Sequence, residues 1–262
     1  MRTNEPGIFS KTPFLAALLF VMSPSARVQA QANDQGKPPI YTYISEWSVP
    51  RGQWPDMLKV DEQDRPLMDK LVADGTLTGY GAFSNLIHQE GEPTHGTWMT
   101  ATSEGGLLKA LEAVYAHPGS TTAPVEGASR HWDYILVSRI YNQHSGKSEG
   151  GYLSGAEWDV KPGQMRAYTD LIKSAFVPVL EKELADGTLT AYGVATEDFH
   201  TGKPGRVTFY FTSPDATAFD KAEKEFEEAF GKNPGLGNAL DSMVERETHR
   251  DFLDRVRYMA NK

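Results

Sequence analysis

The chain has 262 residues, which is enough for one large domain or for two small domains that each bury a core. Cysteine is absent, and this excludes disulfide frameworks, thiolate catalysis and zinc–thiolate sites. The formal net charge is −9 and no basic stretch is visible, so we expect no nucleic-acid partner.

The first 32 residues have the pattern of a secretory signal peptide. Arg2 and Lys11 precede an apolar run over 13–22, and small residues within 28–32 offer cleavage sites. The apolar run is about half of the ~20 residues that a membrane-spanning helix needs. We therefore expect a periplasmic or secreted protein without stable membrane insertion after cleavage, and an uncleaved anchor is the alternative. Residues 33–39 are polar and contain proline, which predicts a flexible lead-in.

The next elements occur twice along the chain. Ala73–Gly81 and Ala185–Gly193 are nine residues long and differ at one position. A segment with a period of two precedes each of them, Tyr41–Val49 in the first copy and Tyr152–Val160 in the second. Aromatic residues recur at alternate positions of the first segment and the second segment matches it, which predicts two strands. The duplication indicates two copies of one structural unit.

A helix follows each of these strands and contains a proline at the matching position, Pro66 in the first copy and Pro178 in the second. An interior proline removes one backbone hydrogen bond and clashes with the previous turn, so we expect a kink or a short break at both places. Gly75 and Gly187 then end the helices, because glycine readily adopts the left-handed conformation of a helix cap.

The remaining elements also come in pairs. We predict a second strand, a third strand and a second helix over Thr76–Ile87, Gly96–Thr102 and Leu107–Tyr115, and again over Thr188–Phe199, Arg206–Thr212 and Ala218–Phe230. The fourth element of the first copy, Trp132–Tyr141, is aromatic and β-branched and predicts a strand. The last element stays open between strand and helix. Alignment with the first copy favours a strand, whereas the spacing of Phe252, Val256 and Met259 also fits a helix.

Each copy therefore has the order β-α-β-β-α-β of a ferredoxin-like domain. We predict repeat 1 over 40–142, a Gly/Ser-rich linker over 143–150 and repeat 2 over 151–262. Such a sheet carries helices on one face only, and a second copy can cover the other face. The predicted fold class is thus α+β, with two tandem ferredoxin-like repeats packed sheet to sheet as a pseudo-dimeric α+β barrel.

This element order and duplication resemble the dimeric α+β barrel superfamily, in a form with both halves in one polypeptide. The resemblance covers about residues 40–262 and is supported by the shared Asp–Gly–Thr–Leu pattern. Members of that superfamily include cofactor-independent oxygenases, haem enzymes and small-molecule isomerases. The resemblance constrains the fold more than the function, because one fold hosts many reactions.

Glu46 and Glu157 occupy matching positions in the first strand of each copy. A carboxylate on a strand face that lines a barrel would have a raised pKa and could transfer protons. We predict these two glutamates as catalytic residues. The alternative is a glutamate at the edge of the sheet that reaches solvent or pairs with an arginine such as Arg139 or Arg257.

Aromatic and histidine residues that recur in both copies form the predicted ligand-binding set, which is Trp47, Trp158, Tyr80, Tyr192, His131 and His249. Aromatic rings with a few orienting hydroxyl groups are the usual lining of small-molecule sites. The alternatives are that the rings are core residues and that each histidine is structural, hydrogen-bonded near Asp133 or Asp251.

The turn with His88, Glu90, Glu92 and His95 could supply histidine and carboxylate ligands to a metal ion. The second copy has Arg206 near the position of His95, so only one half could bind, and we predict no metal site. We also expect no cofactor. The resemblance allows haem, but no histidine motif names an axial ligand.

Three functions are consistent with the sequence. The first is binding of a small apolar or aromatic molecule in pockets between sheet and helices. The second is a cofactor-independent oxygenase, as the resemblance implies. The third is a structural or interaction protein whose aromatic residues are all core, and an oligomer is compatible with each of the three.

Overall fold

The structure is a computed structural model, and it describes residues 36–117, 123–200 and 202–262. The predicted signal peptide over 1–32 and the start of the lead-in lie outside the described residues. Within the described ranges, no helix has both the length and the apolar character needed to cross a membrane.

Nine strands form one antiparallel sheet in the part of the chain that the structure describes. They are β1 (Ile40–Trp47), β2 (Gly79–Asn85), β3 (His95–Ala101), β4 (His131–Gln143), β5 (Gly146–Glu149), β6 (Tyr152–Val160), β7 (Ala191–Glu197), β8 (Arg206–Ser213) and β9 (Val244–Asn261). The seven strands predicted outright are all present, with their ends shifted by a few residues, and the last element, left open between strand and helix, is also a strand. The short β5 was not predicted, and it lies in the segment expected to be a linker.

The helices are α1 (Trp54–Ala73), α2 (Glu104–Tyr115), α3 (Ala123–Glu126), α4 (Met165–Leu171), α5 (Val177–Ala185), α6 (Ala216–Lys232) and α7 (Gly235–Met243). A π-helical turn over Ile172–Phe176 separates α4 from α5 and confirms the irregularity predicted at Pro178. A break at Pro66 does not occur, because α1 continues through this residue and buries an apolar face on both sides of it. Gly75 and Gly187 have φ angles of 84° and 79°, which confirms their predicted role as left-handed caps.

The sheet closes into a barrel of eight strands. The order around the ring is β2-β3-β1-β4-β7-β8-β6-β9, and β9 pairs again with β2. All neighbouring pairs are antiparallel. Closure leaves no free edge in the ring, and β5 is a short addition beside β9.

Two long strands, β4 and β9, join the halves of the chain. The first part of β4 pairs with β1 and its later part pairs with β7. Similarly, β9 pairs first with β6 and then with β2. The last element is therefore a strand, as the repeat predicted, and the helical alternative is wrong. Pairing on two sides satisfies the backbone groups of β9, and this outweighs its locally helical spacing.

Alternation along the strands separates a helix-facing side from the barrel interior. On the helix-facing side of the first half, Tyr43 and Tyr80 pack in one core with Leu71 of α1 and Leu107 of α2. A second core on the other half holds Trp158 and Tyr192 against residues of α4, α5 and α6. Strand residues that alternate with these core residues face into the barrel.

Aromatic rings fill part of the interior beside two glycines of the repeated stretch. A Cβ atom at Gly81 would lie 2.2 Å from the ring of Trp98 on β3. A Cβ atom at Gly193 would lie 2.5 Å from the hydroxyl of Tyr210 on β8. The glycine at the end of each repeated stretch therefore makes room for a ring inside the barrel.

Candidate functional site

Glu46 lies on the interior face of β1. Its cross-strand neighbours are Gly96 on β3 and Trp132 on β4. Burial is the main cause that raises the pKa of Glu46 to about 7, and the negative charge of Glu157 adds to this effect. The positive charge of Arg250 acts in the opposite direction. The carboxyl group is thus set to exchange protons near neutral pH.

Glu157 has the corresponding place on β6. Its cross-strand neighbours are Thr208 on β8 and Arg250 on β9, and Thr208 Oγ1 donates a hydrogen bond to Glu157 Oε1 at 3.1 Å. In the ring of eight strands, β1 and β6 are four positions apart, so Glu46 and Glu157 approach from opposite walls. The structure brings together the two residues that the sequence predicted as catalytic.

A third carboxylate, Asp254 of β9, faces the same interior. It is 3% exposed, and its Oδ1 has no hydrogen-bond partner among the described residues. Burial, followed by the charge of Glu46, raises the pKa of Asp254 to about 8, while Arg250 opposes the rise. The pKa of Asp254 therefore depends on the charge of Glu46.

Tyr134 and Arg250 add a hydroxyl and a cation to this group of acids. Tyr134 lies opposite Ile44 in the β1–β4 register, so it faces the interior. Burial and then the charges of Glu46 and Glu157 raise the pKa of Tyr134, which keeps its hydroxyl neutral. Arg250 Nη2 donates a hydrogen bond to Glu92 Oε2 at 2.5 Å, and Glu92 lies in the connection between β2 and β3.

No protein-family model matches the sequence, and no curated protein matches it. Solved structures, however, match most of the chain. A candidate monooxygenase from Lactobacillus acidophilus is 12% identical, and the match covers 86% of this chain and 97% of that chain with a TM-score of 0.61. A candidate monooxygenase from Fusobacterium nucleatum is 11% identical, with 86% and 94% covered and a TM-score of 0.59. An anthrone oxidase-like protein is 12% identical, with the same coverage of 86% and 94% and a TM-score of 0.53.

The chain has the fold of the dimeric α+β barrel proteins. Both the closed ring of eight strands and these matches over 86% of the chain carry this assignment. At such low identity, the matches show the shared fold and do not show a shared reaction.

In this barrel, the tryptophans and histidines predicted to bind a ligand face the helices. Trp47 stacks on His131 with ring centroids 5.1 Å apart, and Trp158 lies 5.7 Å from His249. Each histidine Nε2 also lies close to the aspartate two positions later, at 3.1 Å in the first half and 3.2 Å in the second. These contacts agree with the structural alternative for the two histidines.

Tyr80 and Tyr192 also face the helices that cover the barrel. The hydroxyl of Tyr80 donates a hydrogen bond to Asp69 of α1 at 2.7 Å, and that of Tyr192 donates to Glu181 of α5. Each bond fastens a repeated stretch to the helix before it. The six predicted ligand-binding residues and the two glutamates therefore lie on opposite faces of the sheet, and the ligand-binding role stays a prediction.

Sequence reasoning missed Asp254, Arg250 and Tyr134. The repeat did contain a signal for Arg250. Arg250 follows His249 as Trp132 follows His131, so alignment of the two copies places Arg250 next to Glu157. Asp254 could not be found, because the last element was left open between strand and helix. In addition, a register shift within the β2–β9 pair separates Asp254 from the end of the strand.

The described residues contain no group of three or more histidines, aspartates and glutamates arranged to hold a metal ion. In the turn considered for a metal, His95 Nδ1 lies 3.0 Å from Thr94 Oγ1, and the ring of Trp54 lies 5.5 Å from His88 and 5.6 Å from His95. None of the histidines on the described strands faces the barrel interior. The residues around Glu46 thus do not fit a haem that needs an imidazole ligand.

Proposed function

We propose that the protein is an enzyme that removes a proton from a small aromatic substrate inside the barrel. The observation that carries this proposal is the meeting of Glu46 and Glu157, one from each half, in a closed interior where the pKa of Glu46 is raised to about 7. A general base is most effective when its pKa lies near the working pH, because a large fraction is then unprotonated and still basic.

The proposed reaction class is oxygenation without a cofactor. When Glu46 takes the proton of an acidic C–H bond, the electron pair stays on the substrate. That carbanion can bond to O₂, and the resulting peroxide takes the proton back and loses water. A CH₂ group and O₂ thus give a C=O group and H₂O, and no external reductant is needed. The neutral hydroxyl of Tyr134 and the cation of Arg250 would stabilise the oxyanion.

Two observations support this class and this location. The matched structures include two candidate monooxygenases and an anthrone oxidase-like protein. In addition, the helix-facing aromatic residues are engaged in two packed cores, whereas Glu46 and Asp254, two carboxyls with raised pKa values, face the interior. We therefore infer binding inside the barrel instead of the sequence-based expectation of pockets between sheet and helices.

Anthrone is a suitable test substrate, because its CH₂ group is acidic and its oxidation product, anthraquinone, absorbs light differently. We expect O₂ consumption and anthraquinone formation by the wild type, with a loss of about 100-fold or more in Glu46→Gln. Glu157→Gln should retain part of the rate with an altered pH dependence. Glu90→Gln removes a charge from an exposed turn and serves as the control. Unchanged turnover in Glu46→Gln, with the fold verified by circular dichroism, would remove this base from the mechanism.

We further propose that the two halves are fused copies of one ferredoxin-like unit. In support, both halves have the order β-α-β-β-α-β, and the contacts of Tyr80 with Asp69 and of Tyr192 with Glu181 recur at the same spacing of 112 residues. The equivalent tilted or stacked Trp–His pairs give further support.

Export through residues 1–32 is also a proposal, and it rests on the charged, apolar and small-residue order of that segment. Expression of the full chain in a bacterium should yield a mature form that begins between residues 31 and 33. Mass spectrometry of the purified protein measures this directly, and an intact Met1 on all exported or membrane-associated protein would contradict cleavage.

A further inference from the structure

We propose that Arg250 and Trp132 form a recognition site at the mouth of the barrel for a planar aromatic anion, with the carboxylate of Glu92 standing in for the ligand's negative group. The inference rests on the proposed function in one respect, which is the choice of the barrel interior as the space that the substrate occupies.

Arg250 lies between solvent and the buried acids. The side chains of Arg250 and Glu92 are 54% and 38% exposed, whereas Asp254 is 3% exposed. The charge of Arg250 nevertheless reaches inward, because it lowers the pKa values of Glu46 and Asp254 against the effect of burial. A guanidinium group that is exposed on one side and acts on buried carboxyls on the other marks the rim of the interior.

Trp132 faces Arg250 from the opposite wall. The strands that carry them, β4 and β9, are four positions apart in the ring of eight. Trp132 is the cross-strand neighbour of Glu46, and Arg250 is the cross-strand neighbour of Glu157. Both side chains therefore point inward at the level of the two glutamates. The interior of an eight-stranded barrel is wide enough for side chains or one small ligand. A flat ring could therefore stack on Trp132 while its edge reaches Arg250.

The bond between Arg250 and Glu92 indicates the charge of the ligand. It shows that the guanidinium can bind a carboxylate at this position, and arginine binds such groups through several N–H donors. A neutral ligand would leave this ion pair intact and would gain no interaction with the charge. An aromatic carboxylate or phenolate can replace Glu92 and also stack on the indole ring.

The halves differ at this point, which argues against a merely inherited surface feature. The equivalent positions hold tryptophan on β4 and arginine on β9, while the glutamates beside them are the same in both halves. One wall of the mouth is thus aromatic and the other cationic.

Calorimetric titration of the full chain with 2-naphthoate and with 2-naphthalenemethanol tests the charge preference without requiring turnover. We expect the anion to bind at least about tenfold more tightly than the neutral alcohol of similar shape. Equal affinity for the two compounds, or binding of neither, would overturn the proposal.

Three variants identify the residues, and two further variants serve as matched controls. Arg250→Gln should remove the preference for naphthoate, whereas Arg255→Gln, on the helix-facing side of the same strand over the ring of Tyr152, should keep it. Glu92→Gln should tighten naphthoate binding severalfold by removing the internal competitor, and Glu90→Gln should not. Trp132→Leu should weaken both ligands alike.

The outcomes separate this site from the proposed reaction. An Arg250→Gln variant that retains the naphthoate preference, or a Glu92→Gln variant that binds no more tightly than Glu90→Gln, would overturn the recognition site even if anthrone is oxidised. Selective naphthoate binding that depends on Arg250, in a protein without any oxygenase activity, would support the recognition site and remove the proposed reaction.

Discussion

At the scale of single residues, the charges around Glu46 determine its proton affinity. Glu157 raises the pKa of Glu46 and Arg250 lowers it. In a reaction that uses Glu46 as the base, kcat/KM rises with pH around this pKa. We expect the midpoint to move to lower pH in Glu157→Gln and to higher pH in Arg250→Gln. Steady-state rates between pH 5 and 9 measure the midpoints. Two variants with the wild-type midpoint would show that Glu46 does not sense these charges.

Glu183 of α5 is a buried acid that takes no part in the proposed reaction. It is 0% exposed, neither carboxylate oxygen has a hydrogen-bond partner among the described residues, and burial raises its pKa to about 8. This value lies above the 4.5 of an unperturbed glutamate, so the folded state holds the proton more strongly. Glu183 therefore lowers stability progressively as pH rises from about 5 to 8.

The first half has Leu71 at the position that matches Glu183. We expect Glu183→Leu to increase the free energy of unfolding at pH 9 by on the order of 2 kcal/mol and to have a smaller effect at pH 5. Urea unfolding at both pH values measures the difference. Glu227→Gln, at an exposed position of α6, is the control. A Glu183→Leu variant that is destabilised equally at both pH values would show that Glu183 imposes no pH-dependent penalty.

Sequence reasoning found Glu46 and Glu157 because they recur at matching points of the repeat. It did not find their electrostatic partners. Neither Arg139 nor Arg257 is the arginine that acts on Glu46, and Arg257 instead contacts Asp61. Those partners come from β9 and from a connection, where the register depends on barrel closure and not on local spacing.

At the scale of elements, an ion pair between Arg257 and Asp61 ties the last strand to the first helix. The side chains are 8% and 4% exposed, and Arg257 lies at the shift in the β2–β9 register. We expect Asp61→Asn to lower the free energy of unfolding by about 3–5 kcal/mol, because it leaves a buried guanidinium unpaired.

The double variant Asp61→Asn, Arg257→Met should recover much of this loss, because it buries no unpaired charge. Chemical denaturation of the single and double variants provides the measurement. Asp56→Asn, which breaks an exposed pair with Lys59 on the same helix, should leave the stability nearly unchanged. A single Asp61→Asn variant as stable as the wild type would show that the ion pair does not contribute to the free energy of unfolding.

The order of elements could be predicted from the repeat, but their ends and the smallest strand could not. The four residues of β5 are polar and begin with glycine, so they lack the alternation that marks a strand, and they form one only because β9 offers a partner. α1 likewise continues through Pro66 because packing on both sides of it compensates for the lost hydrogen bond.

At the scale of the whole molecule, closure of the barrel encloses Glu46 and Glu157. Each lies on the face of its half that carries no helices, and closure brings these two faces together. The sequence predicted that the two sheets would cover each other. It could not predict that β4 and β9 each pair with strands of both halves, because that depends on how far these two strands extend past their own sheets. Without this closure, the interior acids would be solvated and would titrate at their ordinary values.

An infrared pH titration that compares the wild type with Glu46→Gln measures the proton affinity of Glu46 without any substrate. Asp254 and Glu183 contribute protonated carboxyl bands to both proteins, so we expect the difference spectrum, wild type minus variant, to show one further carboxyl band that disappears with a midpoint near pH 7. A Glu46 carboxyl that loses its proton near its ordinary value of 4.5 would place it in solvent and would contradict a proton-transfer site inside the barrel.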